Sequence, residues 1–557
     1  MAIELKVLQN SDDAMLVWNA PEAIQYCVGF AIRREVTRDG KTRSGWLDNF
    51  VGFAGEKHEL GERRPSTEWP FQGFTWTDHE LEAGDSARYR VTPVLREEDG
   101  TLKRAESMRS EWAEGRKRSS RYRPYFNRGY VMSQFMARYL EQTGKSLGEF
   151  KETITDEDDH TIRRFLSGDL RVEMLDLLAE TRRRGGRVYA ALYELGDAEL
   201  IDALVALGSS AHVVLANGSI KPNKGEKWAV ARKRDQNAAA RDRLLAGGVD
   251  VDPEHRFLSP GALGHNKFLV FTDSAGKPKT AWTGSTNWTP TGLCTQLNNG
   301  LLIRDADIAA TYLDQWKRLR EAGSEFPKSL VASNSQPQEP RKGATVWFTK
   351  TAKQVDLAAL REVVDSAETG LIFLMFMPGG KGVLADVLRR QQEPGLFVRG
   401  VASELPDPDD ESTVDVTFVD DTGPKDHRLE VIEPQGRPHS IAWWAAEATR
   451  YAFREEIGWA IVHSKVLVID PFSSRCKVVT GSHNFSLSAS GKNDENFIVI
   501  EGDRALAEAY TVNVFSAWRH YRARIVKGLP WPGLRKDDRW MRGSLSARQE
   551  QAKFWGF

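Results

Sequence analysis

Two parts of the chain show the same succession of apolar and polar positions. Residues 188–193 form a near-continuous apolar run, residues 200–207 carry apolar positions at helical spacing, and residues 211–215 are apolar again. Residues 371–376, 383–389 and 396–401 repeat that order. Short apolar runs read as buried strands, and the spaced pattern between them as a helix. An amphipathic helix precedes each first strand, with Leu175 and Leu178 in one copy and Leu360 and Val364 in the other. Ahead of these stand Phe165-Leu166-Ser167 and Phe348-Thr349-Lys350, and the step from phenylalanine to Val188 or Leu371 is 23 residues in both. Strands that are apolar throughout need cover on both faces. The pattern therefore predicts an α/β protein with two α/β/α sandwich repeats, residues 125–330 and 340–530, related by a pseudo-twofold. Each repeat closes with an aromatic helix, residues 312–319 and 510–521.

The first stretch reads differently. Residues 1–115 hold short β-prone runs such as Met15-Leu16-Val17-Trp18 and Tyr89-Arg90-Val91-Thr92, separated by turn-rich segments, which predicts a small all-β sandwich. It reads as a binding or spacer module, with a protein or a glycan as candidate ligand, or equally as a purely structural one. Residues 323–344 read as the linker between repeats, 403–427 as an acidic surface insertion, and 531–557 as a carboxy-terminal tail.

Each repeat carries the same chemistry-bearing residues. His265-Asn266-Lys267 is followed by Gly284-Ser285-Thr286-Asn287, and His463-Ser464-Lys465 by Gly481-Ser482-His483-Asn484. The spacings from histidine to asparagine are 22 and 21 residues. One H-x-K arises easily by chance, but two inside similar surroundings do not. Each H-x-K opens an apolar strand, where side chains two apart share a face, so histidine and lysine aim together. A phosphodiester is an anion, and cleaving it requires neutralised oxygens, a nucleophile and a proton for the leaving group. Paired histidines, lysines, serines and asparagines supply all of these. One imidazole attacks phosphorus and the other protonates the leaving oxygen. No cofactor or metal is called for.

These residues resemble the paired HKD motifs of the phospholipase D superfamily. Asp470 falls at the H-x-K-x4-D position of the second motif, where the first has Thr272, with Asp273 one residue late. The resemblance implies hydrolysis or transfer of a phosphodiester, in phospholipid or nucleic acid, through a covalent phosphohistidine. Eleven residues after each motif asparagine the copies diverge, with Asn298 in the first and Glu495 in the second. This resembles the position from which the family orients its imidazoles. A carboxylate favours the imidazolium and an amide does not. Glu495 is therefore expected to hold His463 protonated as general acid, and Asn298 or Gln296 to leave His265 neutral as nucleophile. Tyrosyl-DNA phosphodiesterases have a similar amide-first order, with the first histidine attacking. The expected catalytic set is His265, Lys267, Ser285, Asn287, Asn298, His463, Lys465, Ser482, Asn484 and Glu495. Residues 81–84 ahead of Tyr89, with Trp18, loosely resemble a fibronectin type III sandwich.

Composition narrows the partners. Across 557 residues, 77 Lys and Arg nearly balance 78 Asp and Glu, so no global field draws the chain to polyanions. No stretch approaches the roughly 18 apolar residues of a membrane helix, and the start lacks a basic region with an apolar core, which reads as cytoplasmic. Cys27, Cys294 and Cys476 form no paired motif, so neither disulfides nor a zinc site is indicated. Cys294, just past the first Gly-Ser-x-Asn turn, reads as a buried apolar thiol. Two local features bear on substrate: the basic segment 221–243, which reads either as a site for a nucleic-acid backbone or anionic lipid or as a solvated helix face, and Trp443-Trp444, which suits a lipid interface if exposed but reads first as buried core. The basic run 116–123 reads as a solvated linker. The neutral overall charge favours a phospholipid headgroup, with a metal-independent nuclease as the alternative and a binding scaffold as the third reading.

Overall fold

The computed structural model describes residues 3–557 apart from 58–61, 83, 130–142, 157–160, 219, 221–222, 232, 255, 259–260, 380, 392, 404–428, 433–461 and 526–532. Most of the acidic insertion and the whole Trp443-Trp444 pair thus lie outside the described residues.

The amino-terminal module is all β. Strands Glu4–Gln9, Ala14–Asn19 and Thr75–Asp78 make one antiparallel sheet, and Ala113–Glu114, Ser86–Arg96, Cys27–Arg38 and Lys41–Trp46 make the other, with Leu102–Arg104 alongside. Trp18, Phe30, Phe74, Tyr89 and Val91 fill the space between them. Ala14–Asn19 is apolar at successive positions because both its faces are covered. Ala14, Leu16 and Trp18 face the module's own core, whereas Met15 and Val17 join a core shared with both repeats. The module is therefore welded to the rest of the chain.

Each repeat is built on one mixed sheet. In the first, the strand order is Tyr122–Phe126, Asn299–Ile303, Pro278–Gly284, Lys267–Thr272, Val188–Leu192, Ala211–Leu215, Asp250–Val251. In the second, Ala344–Phe348, Asn496–Glu501, Lys477–Gly481, Val466–Ile469, Gly370–Met375, Phe397–Ala402 and Leu429–Ile432 repeat that order, with Gln338–Arg341 added at the edge. Helices cover both faces, as the apolar strands require. Thr161–Arg183, Ala198–Val205 and Ala238–Ala246 cover the outer face of the first sheet, and Val355–Asp365 and Val383–Gln391 that of the second. Between the sheets run Ala306–Ala322 and Arg504–Ile525. Their Tyr312, Trp316, Tyr510 and Phe515 share one core with Phe268, Phe348, Val466 and Ile498.

The pairing of Phe165 with Phe348 does not hold. Phe165 lies in helix Thr161–Arg183, while Phe348 ends a strand paired with Asn496–Glu501. The structural counterpart of Phe348 is Phe126, which ends the strand paired with Asn299–Ile303. The equal 23-residue offsets are accidental, because the first repeat carries more helical chain between its edge strand and its first core strand. Two connections are also more structured than their composition suggests. Residues 323–344 contain helix Lys328–Asn334 and an edge strand. Residues 531–557 contain helix Arg539–Trp555, whose Trp540 and Met541 enter the amino-terminal core and whose Phe554 and Trp555 enter the shared core. No helix among the described residues is long and apolar enough to cross a membrane.

Candidate active site

The two H-x-K segments enter equivalent central strands and meet where the sheets face each other. Each Gly-Ser-x-Asn turn follows the next strand. Its glycine cannot be replaced by a larger residue without displacing the neighbour, since a Cβ on Gly284 would stand 2.3 Å from the Asn299 carbonyl oxygen and one on Gly481 2.3 Å from that of Asn496. The asparagines after the motif seal the seam reciprocally. Asn299 Nδ2 donates to Thr480 Oγ1 and Tyr510 Oη, while Asn496 Oδ1 accepts from Thr283 Oγ1 and Tyr312 Oη.

This docking brings His265 and His463 together, with ring centroids 6.4 Å apart and each residue 4% exposed. Lys267 Nζ donates to the His265 carbonyl and packs over Tyr193, and Lys465 Nζ donates to the His463 carbonyl and packs over Phe376. Tyr193 and Phe376 also lie against the imidazoles of their own halves, each at 4.7 Å between centroids. Of the residues expected at the site, all ten gather at or next to this cluster. Ser285 Oγ donates to Asn298 Oδ1 and Ser482 Oγ accepts from the Asn496 amide, so the serines hold the loops beside the imidazoles.

The imidazole partners, however, are exchanged between halves. Glu495 Oε2 lies 3.3 Å from His265 Nδ1, and Asn298 Oδ1 lies 2.8 Å from His463 Nδ1. The expected pairing of Glu495 with His463, and of Asn298 or Gln296 with His265, is thereby corrected. The reason is topological. Each loop after the motif runs along the H-x-K of the other repeat. The His463 amide donates to the Leu297 carbonyl at 3.0 Å, and the Asp494 amide to the Leu263 carbonyl at 2.8 Å.

The electrostatics follow from burying many cations beside few anions. Burial, then Lys267, pushes His265 down to about 4 against the pull of Glu495. Burial, then Lys465, Lys267 and His265, pushes His463 well below its ordinary value. Both lysines are lowered by burial as well. Burial, the largest single influence, would raise Glu495, but the His265 ring, His483 and the Asn493 side-chain amide together outweigh it and carry the carboxyl down to about 2, so it stays ionised. A site so short of negative charge is chemically suited to an anion.

Sequence reasoning passed over three residues here. Tyr193 and Phe376 read only as strand positions, although an aromatic at the same place in both copies is a signal of its own. Glu194, half-buried, accepts from Asn287 Nδ2 at 2.6 Å; burial raises its carboxyl against the opposing effect of Lys267. Its counterpart by position is Met377, so nothing in the duplication points to it.

Other candidates prove structural. Asp470 accepts from the Glu368, Thr369 and Gly370 amides and from Thr369 Oγ1, which anchors strand Gly370–Met375. Asp273 closes a turn by accepting from the Ala275 and Lys277 amides. Cys294 is buried and burial pushes its thiol up to about 12, which disfavours the thiolate. In the basic segment, Arg241 is buried on Asp235 and backbone carbonyls, Arg234 pairs with Glu226 and Arg243 with Asp202; part of its charge is already spoken for. In the run 116–123, Arg116 pairs with Glu508 and Arg121 with Asp305, while Arg116, Lys117, Arg118 and Ser120 stay exposed. Among the described residues no cluster of three or more His, Cys, Asp or Glu is placed to hold a metal ion.

Comparison with known proteins agrees with the presence of two repeats. The sequence model of the family described as "Cardiolipin synthase, PLD-like domain" matches residues 171–320 and 365–518, one match per repeat. A phospholipase D of Rickettsia prowazekii is 54% identical over 56 residues, 10% of this chain and 25% of that protein; the chain thus spans about a quarter of the length of this curated relative. Among solved structures, a polyphosphate kinase from Porphyromonas gingivalis is 12% identical with a TM-score of 0.41, covering 98% of this chain and 82% of the other. A phosphatidylserine synthase from Haemophilus influenzae Rd KW20 is 12% identical with a TM-score of 0.40, covering 70% and 92%.

Proposed function

Because the chain belongs to the phospholipase D superfamily, with one PLD-like domain in each of its two repeats, we propose that it is a phosphodiesterase that works through a covalent phosphohistidine on His265. The observation that carries this is the pair of imidazoles 6.4 Å apart with Glu495 on one and Asn298 on the other. Free His265 is neutral, since its value is pushed down to about 4, so a ring nitrogen has its lone pair available. With Nδ1–H turned to Glu495, Nε2 attacks phosphorus. The N–P bond forms as the P–O bond to the leaving group breaks, and His463 gives that oxygen its proton. Water or an alcohol then attacks the phosphohistidine, with His463 taking up its proton.

The exchanged partners suit this order better than the expected ones. Positive charge appears on His265 as it becomes phosphorylated, and a carboxylate beside it stabilises what the transition state gains. Charge leaves His463 as it donates, and the Asn298 oxygen orients the ring without retaining the proton. Burial and the neighbouring cations keep His463 neutral in the empty site, and the diester monoanion supplies the charge that lets it protonate. Lys267 and Lys465 hold the phosphoryl oxygens, with Asn287 and Asn484 as amide donors.

We propose a phospholipid headgroup as the substrate, supported by the neutral net charge, by the ion-paired state of Arg234, Arg241 and Arg243, and by the lipid-enzyme description of the matching family. The test is to incubate the protein in EDTA with labelled phosphatidylcholine or phosphatidylglycerol vesicles and, in parallel, with single- and double-stranded DNA and RNA, with and without a primary alcohol. Headgroup release from vesicles is expected, with a new phosphatidyl ester if transfer occurs. Cleavage of nucleic acid alone overturns the lipid reading in favour of a nuclease.

A further inference from the structure

We infer that Asn127 and Thr349 are a matched pair of positioning residues, one per repeat, that fix the loops presenting Asn298 to His463 and Glu495 to His265. Each follows the corresponding edge strand, Tyr122–Phe126 or Ala344–Phe348, and each is buried, 1% and 0% exposed. Their bonds coincide under the pseudo-twofold. The Asn127 amide donates to the Asn298 carbonyl at 3.3 Å, the Asn298 amide donates to Asn127 Oδ1 at 2.8 Å, and Asn127 Nδ2 donates to the Gln296 carbonyl at 2.6 Å. The Thr349 amide donates to the Glu495 carbonyl at 2.9 Å, the Glu495 amide donates to Thr349 Oγ1 at 3.0 Å, and Thr349 Oγ1 donates to the Asn493 carbonyl at 3.1 Å. One backbone amide and one side chain, of different type in the two repeats, thus make the same three bonds to equivalent backbone groups. Asn127 adds Nδ2 contacts to the Gly292 and Leu293 carbonyls.

What these bonds secure is reach. Asn298 and Glu495 must each hold an imidazole of the other repeat, so the direction of their side chains depends on the backbone of a short loop between a helix and a strand. The reciprocal amide bond and the side-chain acceptor fix that backbone on both sides of the residue. Neither Asn127 nor Thr349 touches an imidazole. They act through Asn298 and Glu495, and loss of that orientation misplaces a catalytic ring by a fraction of its reach, which is costly in rate.

The catalytic part of the test rests on the phosphodiesterase reading; the spectroscopic part does not. Thr349→Val keeps the shape and removes the hydroxyl, Thr349→Ser restores it, and Asn127→Asp keeps the acceptor oxygen while deleting the Nδ2 donors. Turnover of bis(p-nitrophenyl) phosphate is followed together with the ¹⁵N titration of the His265 and His463 rings. For Thr349→Val the expected result is a fall in kcat of about 100-fold with KM changed by less than about twofold, a downward shift of the His265 titration as Glu495 withdraws, and recovery of both in Thr349→Ser. Should Thr349→Val not fold, Asn127→Asp carries the same test, read on kcat and on the His463 ring. An unchanged His265 titration in folded Thr349→Val, whatever its activity, overturns the inference. A wild type that cleaves no phosphodiester, with the His265 titration still shifted by Thr349→Val, sinks the phosphodiesterase reading and leaves the positioning role standing.

Discussion

At the scale of single residues, Glu495 is the asymmetry on which the proposed order of events rests. It stays ionised in a buried site, and its charge opposes the burial and the Lys267 field that lower His265. For His265 the depressed value means that the unprotonated ring, the form that attacks in the proposed mechanism, is already present above about pH 4. The acid limb of kcat/KM is therefore expected near 4 rather than near the ordinary imidazole value of about 6.5. The alkaline limb is expected well below the ordinary lysine value of about 10.4, because Lys267, Lys465 and His463 are all lowered. Glu495→Gln removes the counter-charge while keeping the shape. It is predicted to lower kcat by about 10²-fold and to move the acid limb further down, as measured in a pH–rate series. An acid limb that moves up instead contradicts the role given to the carboxylate. The identity of these groups was legible in the sequence, because residue type and spacing carry it. Which imidazole each group serves was not, since positions 298 and 495 sit eleven residues past their own motifs yet lie against the other repeat's histidine.

At the scale of elements, the strands that carry His265 and His463 are held in place by groups outside the chemistry. The Asp470 carboxylate takes four hydrogen bonds at the start of strand Gly370–Met375, next to the strand that follows His463. Asp470→Ala leaves those donors unpaired and is predicted to cost about 1–3 kcal/mol of stability, seen as a lower midpoint in chemical denaturation, with kcat per folded molecule nearly unchanged. A large loss of kcat without loss of stability means that the carboxylate belongs to the reaction. The core strands were readable because runs buried on both faces, such as residues 188–193 and 371–376, need no periodicity to stand out. The edge strand Tyr122–Phe126 was hidden by the basic run that leads into it, and an equal spacing then drew Phe165 into its place. That mistake concealed Asn127 and Thr349, whose equivalence is visible only once Phe126 and Phe348 are seen to end matching strands.

At the scale of the whole molecule, the two repeats, the amino-terminal module and the last helix form one packed unit. Met15 and Val17 of the module share a core with Tyr122, Phe126 and Tyr510, and helix Arg539–Trp555 reaches from the module's Trp18 and Phe30 cluster to Phe397 and Phe515 of the second repeat. Removing residues 533–557 uncovers two cores at once. It is predicted to lower the thermal midpoint by several degrees, whereas an unchanged midpoint makes the segment the tail that its composition suggested. Under the proposed mechanism such a unit keeps two imidazoles from different repeats, 6.4 Å apart between centroids, at a fixed separation. The most direct test is to quench the protein during turnover of a labelled phosphodiester and map the label by mass spectrometry. Label is predicted on His265 in the wild type, absent in His265→Ala, and retained in His463→Ala, with turnover of the last slowed by about 10²- to 10⁴-fold. Label found on His463, or persisting in His265→Ala, contradicts the assignment.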